Sequence, residues 1–207
     1  MTSDSIPFPY FPATARSAAR RKPVYGIGIN DSPYVVEMKT EGARQVCPYY
    51  NVWRNVLQRC YHEGFRACHP TYANCVVVSE WHTFSNFRMW MATQNWQGMQ
   101  LDKDILFPGN KVYGPGTCVF VDQLTNKLLG DRAAKRGVWP IGVSWSKEKR
   151  LFQSRCGING KSKYLGRFTN PADAHAAYLV AKEGEIRRVA ALQSDVRVRD
   201  ALLSRVI

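Results

Sequence analysis

Polar and apolar side chains alternate along residues 151–158, Leu-Phe-Gln-Ser-Arg-Cys-Gly-Ile. Successive side chains of a β-strand point to opposite faces, so this spacing predicts that Gln153 and Arg155 share one face. The other face would carry Phe152, Ser154, Cys156 and Ile158. A guanidinium fork and an amide match the guanine and adenine edges of the DNA major groove, which is wide enough for a β-ribbon. The strand therefore predicts a surface that contacts bases.

Further basic side chains surround this strand and are spaced for phosphates: Lys147, Lys149, Arg150, Lys161, Lys163 and Arg167. The 207-residue chain has 29 Lys and Arg against 16 Asp and Glu, a formal net charge of +13. A surplus of this size is normally neutralised by a polyanion. Double-stranded DNA is the expected partner and structured RNA the weaker alternative. Anionic membranes and acidic proteins are the other classes that attract a basic chain.

Turn and capping residues predict how this strand is held. Sequences typical of strands occur at 141–146, 151–158 and 162–168. Asn159-Gly160, between the second and third, is a strong signal for a tight hairpin. Asn170 and Pro171 then suit the cap and first turn of a helix. Its small residues would lie close against a sheet. The pattern predicts a three-stranded antiparallel sheet packed on one helix, followed by a helical stretch over 185–206.

The C-terminal segment resembles a known DNA-binding domain. Gly142-Val143, Phe152, Tyr164-Leu-Gly-Arg-Phe168 and Asn170-Pro-Ala-Asp-Ala174, with Ala177-Tyr178, are similar to the apetala-type (ethylene-response-factor) domain over about 138–190. The resemblance implies that the sheet lies in the major groove with the helix behind it. Its groove-facing positions here are Ser144, Ser146, Gln153, Arg155 and Tyr164. Two are serines where plant members usually carry arginine, which implies weaker or differently aimed specificity.

The middle of the chain predicts a compact strand–loop–strand–helix unit at 101–129. Strands are expected at 101–106 and 117–121 around a loop rich in turn-forming residues, and Asp122 stands at the cap position of a helix over 123–129. Upstream, apolar spacing predicts helices at 49–61 and 84–91, whose aromatic residues are expected in a core. Residues 24–29 and 34–36 have sequences typical of strands, and strands are predicted there.

This middle unit resembles the ββα-metal fold of HNH homing endonucleases, especially phage proteins that also carry an apetala-type domain. The residues that carry the resemblance are Leu101-Asp-Lys-Asp-Ile105, Gly109-Asn-Lys-Val-Tyr113, Thr117-Cys-Val-Phe-Val121 and Asn126, with upstream elements such as Arg59-Cys-Tyr61. The resemblance implies that Asp102 and Asn126 hold one divalent cation, Mg²⁺ or a similar ion.

Lys103 occupies the position of the usual histidine base in this resemblance. A lysine is protonated at neutral pH, so it can clamp a phosphate but is a poor general base. Asp104, His69, His82 or a metal-bound water could take over that role. The leading function is therefore site-directed DNA binding with metal-dependent phosphodiester cleavage. The alternative is a non-catalytic DNA-binding regulator or adaptor on the same fold.

The expected organisation is an α+β chain: a flexible basic tail at 1–22, an HNH-like domain at 23–132, an apetala-type domain at 138–190 and a helical tail at 191–207. No apolar stretch approaches the roughly 20 residues that span a bilayer, and the N-terminus lacks a signal-peptide core. We expect a cytoplasmic protein, in the host cell if phage-encoded. Cys47, Cys60, Cys68, His69 and Cys75 are too irregularly spaced for a typical zinc site, so buried reduced thiols are predicted.

Overall fold

The computed structural model describes residues 8–40, 42–129 and 138–206. Residues 1–7 of the predicted tail, 41, 130–132 at the end of the predicted HNH-like domain, 133–137 after it and 207 lie outside the described residues. The chain is mixed α+β and divides into two compact units, Met1–Phe120 and Val121–Ile207. The predicted strand–loop–strand–helix unit at 101–129 spans this division. We describe the two units separately as the N-terminal unit and the C-terminal unit.

The N-terminal unit is built from short elements around an aromatic core. Its helices are α1 (Ala15–Ala19), α2 (Pro48–Tyr61), α3 (Glu63–Cys68) and α4 (Phe84–Ala92). Its strands are β1 (Glu37–Thr40), β2 (Ala43–Val46), β3 (Val76–Val77), β4 (Gln100–Asp102) and β5 (Val112–Tyr113). Strands β1 and β2 pair antiparallel, and β3 pairs parallel with β5. Single 3₁₀ turns cover Pro70–Tyr72 and Ser79–His82.

Helices α2 and α4 confirm the predictions at 49–61 and 84–91. Trp53, Phe84, Phe87 and Met91 are at most 1% exposed, because apolar residues at three- and four-residue spacing line one side of each helix. The indole nitrogen of Trp53 donates to the Trp81 carbonyl at 2.7 Å. The prediction that these aromatic residues form a core is confirmed.

The strand-like text at 24–29 and 34–36 does not form strands, and that prediction was wrong. The N–H of Val24 bonds the carbonyl of Gly28, so the chain folds back on itself, with Tyr25 and Gly26 at positive φ. A Cβ at Gly28 would lie 2.3 Å from Leu57 Cδ1. The apolar residues of this segment therefore pack against α2 through turns and isolated bridges.

Part of the predicted tail is tied to the N-terminal unit. Residues Ala15–Ala19 form the short helix α1, capped by the Thr14 hydroxyl. The Arg21 guanidinium donates to the carbonyls of Asn30, Ser32 and Tyr34 at 3.0, 2.6 and 3.2 Å. This arginine holds the loop at 30–34 and is not presented to a phosphate.

The C-terminal unit contains the predicted sheet and helix. Strand β6 (Val119–Val121) straddles the boundary and leads into α5 (Gln123–Leu128), whose first turn is capped by Asp122 as predicted. An antiparallel sheet of order β7-β8-β9 follows: β7 (Val143–Ser146), β8 (Leu151–Ile158) and β9 (Lys161–Phe168). Helix α6 (Pro171–Ala191) packs against this sheet, with the Asn170 side chain as its cap.

The helical stretch predicted at 185–206 is divided differently in the structure. Residues 185–191 continue α6, and a separate helix, α7 (Val196–Leu203), begins at the Asp195 cap. Val198 and Leu202 of α7 are buried and pack the helix against α6. Apolar periodicity alone did not locate the break, because both helices bury the same kind of aliphatic side chain.

Two turns fix the sheet. Asn159 and Gly160 both have positive φ and close the two-residue hairpin between β8 and β9, as predicted. Gly142, just before β7, has φ +82°, and a Cβ there would lie 2.2 Å from the Tyr178 ring. Only glycine allows this close approach between β7 and α6.

The described helices include none long and apolar enough to cross a bilayer.

Candidate nucleic-acid interface

The alternation predicted for 151–158 is confirmed. Phe152, Ser154 and Cys156 of β8 are buried towards α6, whereas Gln153 is half-buried and Arg155 is exposed. Register places Ser144, Gln153 and Arg167 in one row across the three strands. We call the sheet face that carries this row the outer face. It is the side of the sheet that α6 leaves uncovered.

Arg155 is held in a defined position on the outer face. It pairs in register with Tyr164 of β9, and its guanidinium carbon lies 5.4 Å from the centroid of that ring. A cation over an aromatic face gains about 0.5–1 kcal/mol at an exposed site, enough to bias the side-chain position. The ladder shifts register between Ser154 and Arg155, which marks a bulge next to this pair. Bulges re-aim side chains.

The loop between β7 and β8 concentrates charge at one end of the sheet. Lys147, Lys149 and Arg150 are exposed there, and Arg150 adopts φ +54° to close the turn. Glu148 is the one acidic residue in 138–170, against seven basic residues, and it pairs with Lys149 at 2.5 Å. Arg167, next to Gln153 in register, adds a cation to the same end of the sheet.

Two predicted contact residues lie differently from the others. Lys161 and Lys163 pair in register with Ile158 and Cys156, so their backbone positions belong to the helix side of the sheet, although both side chains are exposed. Ser146 pairs with Leu151 at the same strand parity as Ser144 and Gln153, so it belongs to the outer face, where it is half-buried. The outer face is therefore narrower than the sequence predicted, because strand parity separates cations that are neighbours in the sequence.

Buried Glu185 of α6 anchors the far end of the sheet. Its carboxylate accepts the Asn159 N–H at 2.8 Å and two hydrogen bonds from Arg188, both at 2.8 Å. The hydrogen bonds from Arg188 lower the pKa of Glu185; burial opposes this, and the Asn159 N–H adds to the lowering. The carboxylate thus stays charged and fixes the β8–β9 turn to the helix.

The two residues predicted to hold a divalent cation fall in different units. Asp102 ends β4 in the N-terminal unit, and its Oδ1 accepts the N–H groups of Asp104 and Ile105 at 2.7 and 2.6 Å. Its Oδ2 accepts no hydrogen bond from the described residues. Asn126 lies in α5 of the C-terminal unit. Carboxylate and amide oxygens are suitable donors for Mg²⁺.

Lys103 is buried and forms hydrogen bonds within the protein. It is 5% exposed, and its ammonium donates to Asp104 Oδ1 at 2.7 Å and to the Asn110 carbonyl at 2.6 Å. The Asn110 amide in turn donates to the carbonyls of Lys103 and Val112 at 2.9 and 2.7 Å. The ammonium therefore stabilises the loop between β4 and β5. In this arrangement the Lys103 ammonium is not available to clamp a phosphate. Asp104 is held in an ion pair with it and is not a free base.

The alternative base candidates are also engaged. His82 Nε2 lies 3.2 Å from the Tyr61 hydroxyl, which accepts the Val77 N–H at 3.0 Å. His69 Nδ1 lies 2.9 Å from the Phe65 carbonyl, and its ring stacks on Phe65 with centroids 4.2 Å apart. Each imidazole thus has a local structural partner in this conformation.

Sequence reasoning assigned no role to Arg59, which the structure places beside the predicted nuclease residues. The Nη1 of Arg59 donates to the Tyr113 hydroxyl at 3.5 Å, and its guanidinium carbon lies 5.6 Å from the Tyr72 ring centroid. Burial lowers the pKa of Arg59, but Tyr113, Tyr72 and Asp102 together outweigh it and raise the pKa. No sequence signal distinguishes this arginine from a solvated one on α2.

The six cysteines are all free thiols, five buried and Cys68 exposed, which confirms the predicted burial except at Cys68. Burial raises the pKa of Cys60 to about 12 and of Cys118 to about 11, so both are protonated at neutral pH. Within 8–40, 42–129 and 138–206, no three His, Cys, Asp or Glu side chains gather as metal ligands.

No family model, curated protein or solved structure matches this chain.

Proposed function

We propose that this protein binds double-stranded DNA through the outer face of the β7-β8-β9 sheet. The observation that carries the proposal is the arrangement of Gln153, Arg155 and Arg167 on one exposed face, with Lys147, Lys149 and Arg150 at its edge. Guanidinium and amide groups on a sheet can contact base edges in the major groove, and surrounding cations can contact phosphates. The helix behind the sheet keeps this face rigid.

The test is duplex binding by fluorescence anisotropy at several salt concentrations. Arg155→Ala should weaken binding about tenfold, the scale of 1–3 kcal/mol for a good base contact. Arg187→Ala is the matched control: it removes the same charge from the same unit, but Arg187 already pairs with Glu183 on α6 at 2.8 Å. Equal losses in the two variants would contradict a specific role for the outer face.

Competition with structured RNA separates the two nucleic-acid partners. A surface that contacts major-groove edges should prefer duplex DNA, because the major groove of an RNA duplex is too narrow and deep for side chains. Stronger competition by an RNA duplex than by a DNA duplex of the same sequence would favour the RNA alternative. The salt slope should be steep in either case, near −0.9 per phosphate contact on DNA.

Metal-dependent phosphodiester cleavage is a second candidate function. It is supported by Asp102, whose Oδ1 is fixed by two backbone N–H groups while Oδ2 accepts no hydrogen bond from the described residues. A divalent cation bound at this carboxylate would supply polarisation of the scissile phosphate and activation of water. Asp102 would orient that ion, while Lys103 and Asp104 hold the following loop, between β4 and β5, in place.

Nicking of supercoiled plasmid in Mg²⁺ or Mn²⁺ tests this second candidate. Asp102→Ala should abolish nicking, whereas Glu80→Ala, which removes an exposed carboxylate elsewhere in the N-terminal unit, should retain it. If the wild-type protein binds DNA but never nicks it in either metal, the protein is a DNA-binding regulator or adaptor on the same fold.

A further inference from the structure

Arg59 lies in the last turn of α2 and carries a half-buried guanidinium with few protein partners. Its hydrogen bond to Tyr113 is 3.5 Å long, and Asp102 acts on it electrostatically, but it forms no ion pair with a carboxylate of the described residues. An arginine has five N–H donors. Most of these donors are therefore unfilled by the described protein, in a position where water is partly excluded.

Three other arginines of the N-terminal unit have protein acceptors. Arg54, also on α2, donates to Glu37 at 2.6 Å, and Arg44 donates to the same carboxylate at 2.5 Å. Arg21 donates to three carbonyls. Partly burying a charge with few hydrogen-bond acceptors is costly, so a half-buried arginine whose donors are mostly unfilled suggests an external anion.

Aromatic side chains hold the Arg59 guanidinium from two sides. Tyr72 lies below it, with 5.6 Å between guanidinium carbon and ring centroid, and Tyr113 accepts its one hydrogen bond. Tyr72 is itself packed beside Phe65, with centroids 5.8 Å apart, and Phe65 stacks on His69. The fork is thus pre-oriented, which reduces the entropy lost when it binds a ligand.

We propose that Arg59 binds a phosphate group of the nucleic-acid backbone, with Tyr72 and Tyr113 orienting the fork. The proposal rests on the DNA binding proposed above and adds a contact in the N-terminal unit, separate from the outer face. Guanidinium geometry suits two parallel hydrogen bonds to a phosphate. A chain with net charge +13 is expected to meet phosphate as its abundant anionic ligand.

Arg59→Gln, Arg59→Lys and Arg54→Gln separate this role from packing. Arg59→Gln should weaken duplex binding about tenfold, equally across sequences, and make the salt slope shallower by about 0.9. Arg59→Lys keeps the charge but loses the fork, so it should recover the slope but only part of the affinity. Arg54→Gln is the matched control, because it removes a paired charge from the same helix; its affinity should change less than about twofold.

A second measurement does not depend on the sheet. Pyrophosphate is titrated into the full chain while the Nε–H signal of Arg59, assigned by its loss in Arg59→Lys, is followed by NMR. This signal should shift saturably, and that of Arg54 should not. A saturable shift without any duplex binding would sink the proposed function and keep the phosphate site. Duplex binding that Arg59→Gln leaves unchanged, with no Arg59 shift, would overturn the phosphate site and keep the proposed function.

Discussion

The interior of the N-terminal unit and the sheet of the C-terminal unit differ in how their basic residues are partnered. In the N-terminal unit, Arg21, Arg44, Arg54 and Lys103 are committed to carbonyls and carboxylates of the unit itself. In the C-terminal unit, the sheet and its first loop expose Arg155, Arg167 and the cations at 147–150. The carboxylates of the protein therefore pair mainly with cations of the N-terminal unit and of the helices behind the sheet.

This contrast shows why net charge alone does not locate a binding surface. A cation with a protein carboxylate at 2.6 or 2.7 Å, such as Arg54 or Lys103, has exchanged water for an internal partner, and a phosphate must compete with that partner. A cation without one remains available. Partners, not number, distinguish Arg155, Arg167 and Arg59 from Arg21, Arg44, Arg54 and Lys103.

The largest expected effect concerns the support of the outer face. Gly142→Ala should destabilise the C-terminal unit by about 3 kcal/mol, since alanine disfavours φ +82° and its Cβ would overlap the Tyr178 ring. Gly160→Ala is the control, with φ +73° but open space around it, and should cost only about 1 kcal/mol. Urea unfolding measures both values. Equal costs would show that the approach of β7 to α6 is not limiting.

The buried cation of the N-terminal unit should be the next most sensitive position. Asp104→Ala should destabilise the protein by about 2 kcal/mol, because it leaves the Lys103 ammonium buried with only the Asn110 carbonyl, although Asp104 itself is half exposed and its pairing is partly screened. Lys103→Met removes the charge itself and should cost less than about 1.5 kcal/mol. Thermal unfolding of both variants tests this order. The reverse order would mean that the ion pair does not decide stability here.

A smaller, pH-dependent effect is expected at Glu185. The hydrogen bonds from Arg188 lower its pKa in the folded state, with burial opposing and the Asn159 N–H reinforcing the change. The charged carboxylate therefore stabilises the fold above its ordinary pKa, and this stabilisation is lost as the pH falls through the lowered value. Glu185→Gln should cost about 1–2 kcal/mol at pH 7.

Unfolding at a series of pH values checks the sign. The difference between wild type and Glu185→Gln should stay constant from pH 7 down to roughly 5 and shrink below about 4. A difference that grows on acidification would mean that the carboxylate is protonated in the folded protein at neutral pH. The β8–β9 turn would then not be held by a charged group.

The smallest effect is expected on the exposed loop. Glu148→Gln should leave stability within about 0.5 kcal/mol of wild type, because its pair with Lys149 is solvent-exposed. It should nevertheless tighten duplex binding about two- to threefold by removing a negative charge next to phosphates. Anisotropy at low salt measures the gain. Unchanged affinity would place the 147–150 loop away from the DNA.

Local sequence was sufficient wherever local chemistry decides structure. The alternation at 151–158, the positive-φ pair Asn159-Gly160 and the Asn170 cap predicted the sheet, its hairpin and the start of α6. The apolar spacing of α2 predicted that helix to within a residue. The prediction of a strand from local sequence failed at 24–29, where close packing of Gly28 on Leu57 overrides strand propensity.

Tertiary structure alone decided which charged groups are available. Lys103 and Lys149 are equally plausible phosphate contacts in the sequence, yet one is buried against Asp104 and Asn110 and the other is exposed. Arg54 and Arg59 differ by five positions on one helix, and only Arg54 meets Glu37. Side-chain type fixes what a residue can bind, but its partners come from distant segments, so the folded chain determines which of them remain free for a ligand.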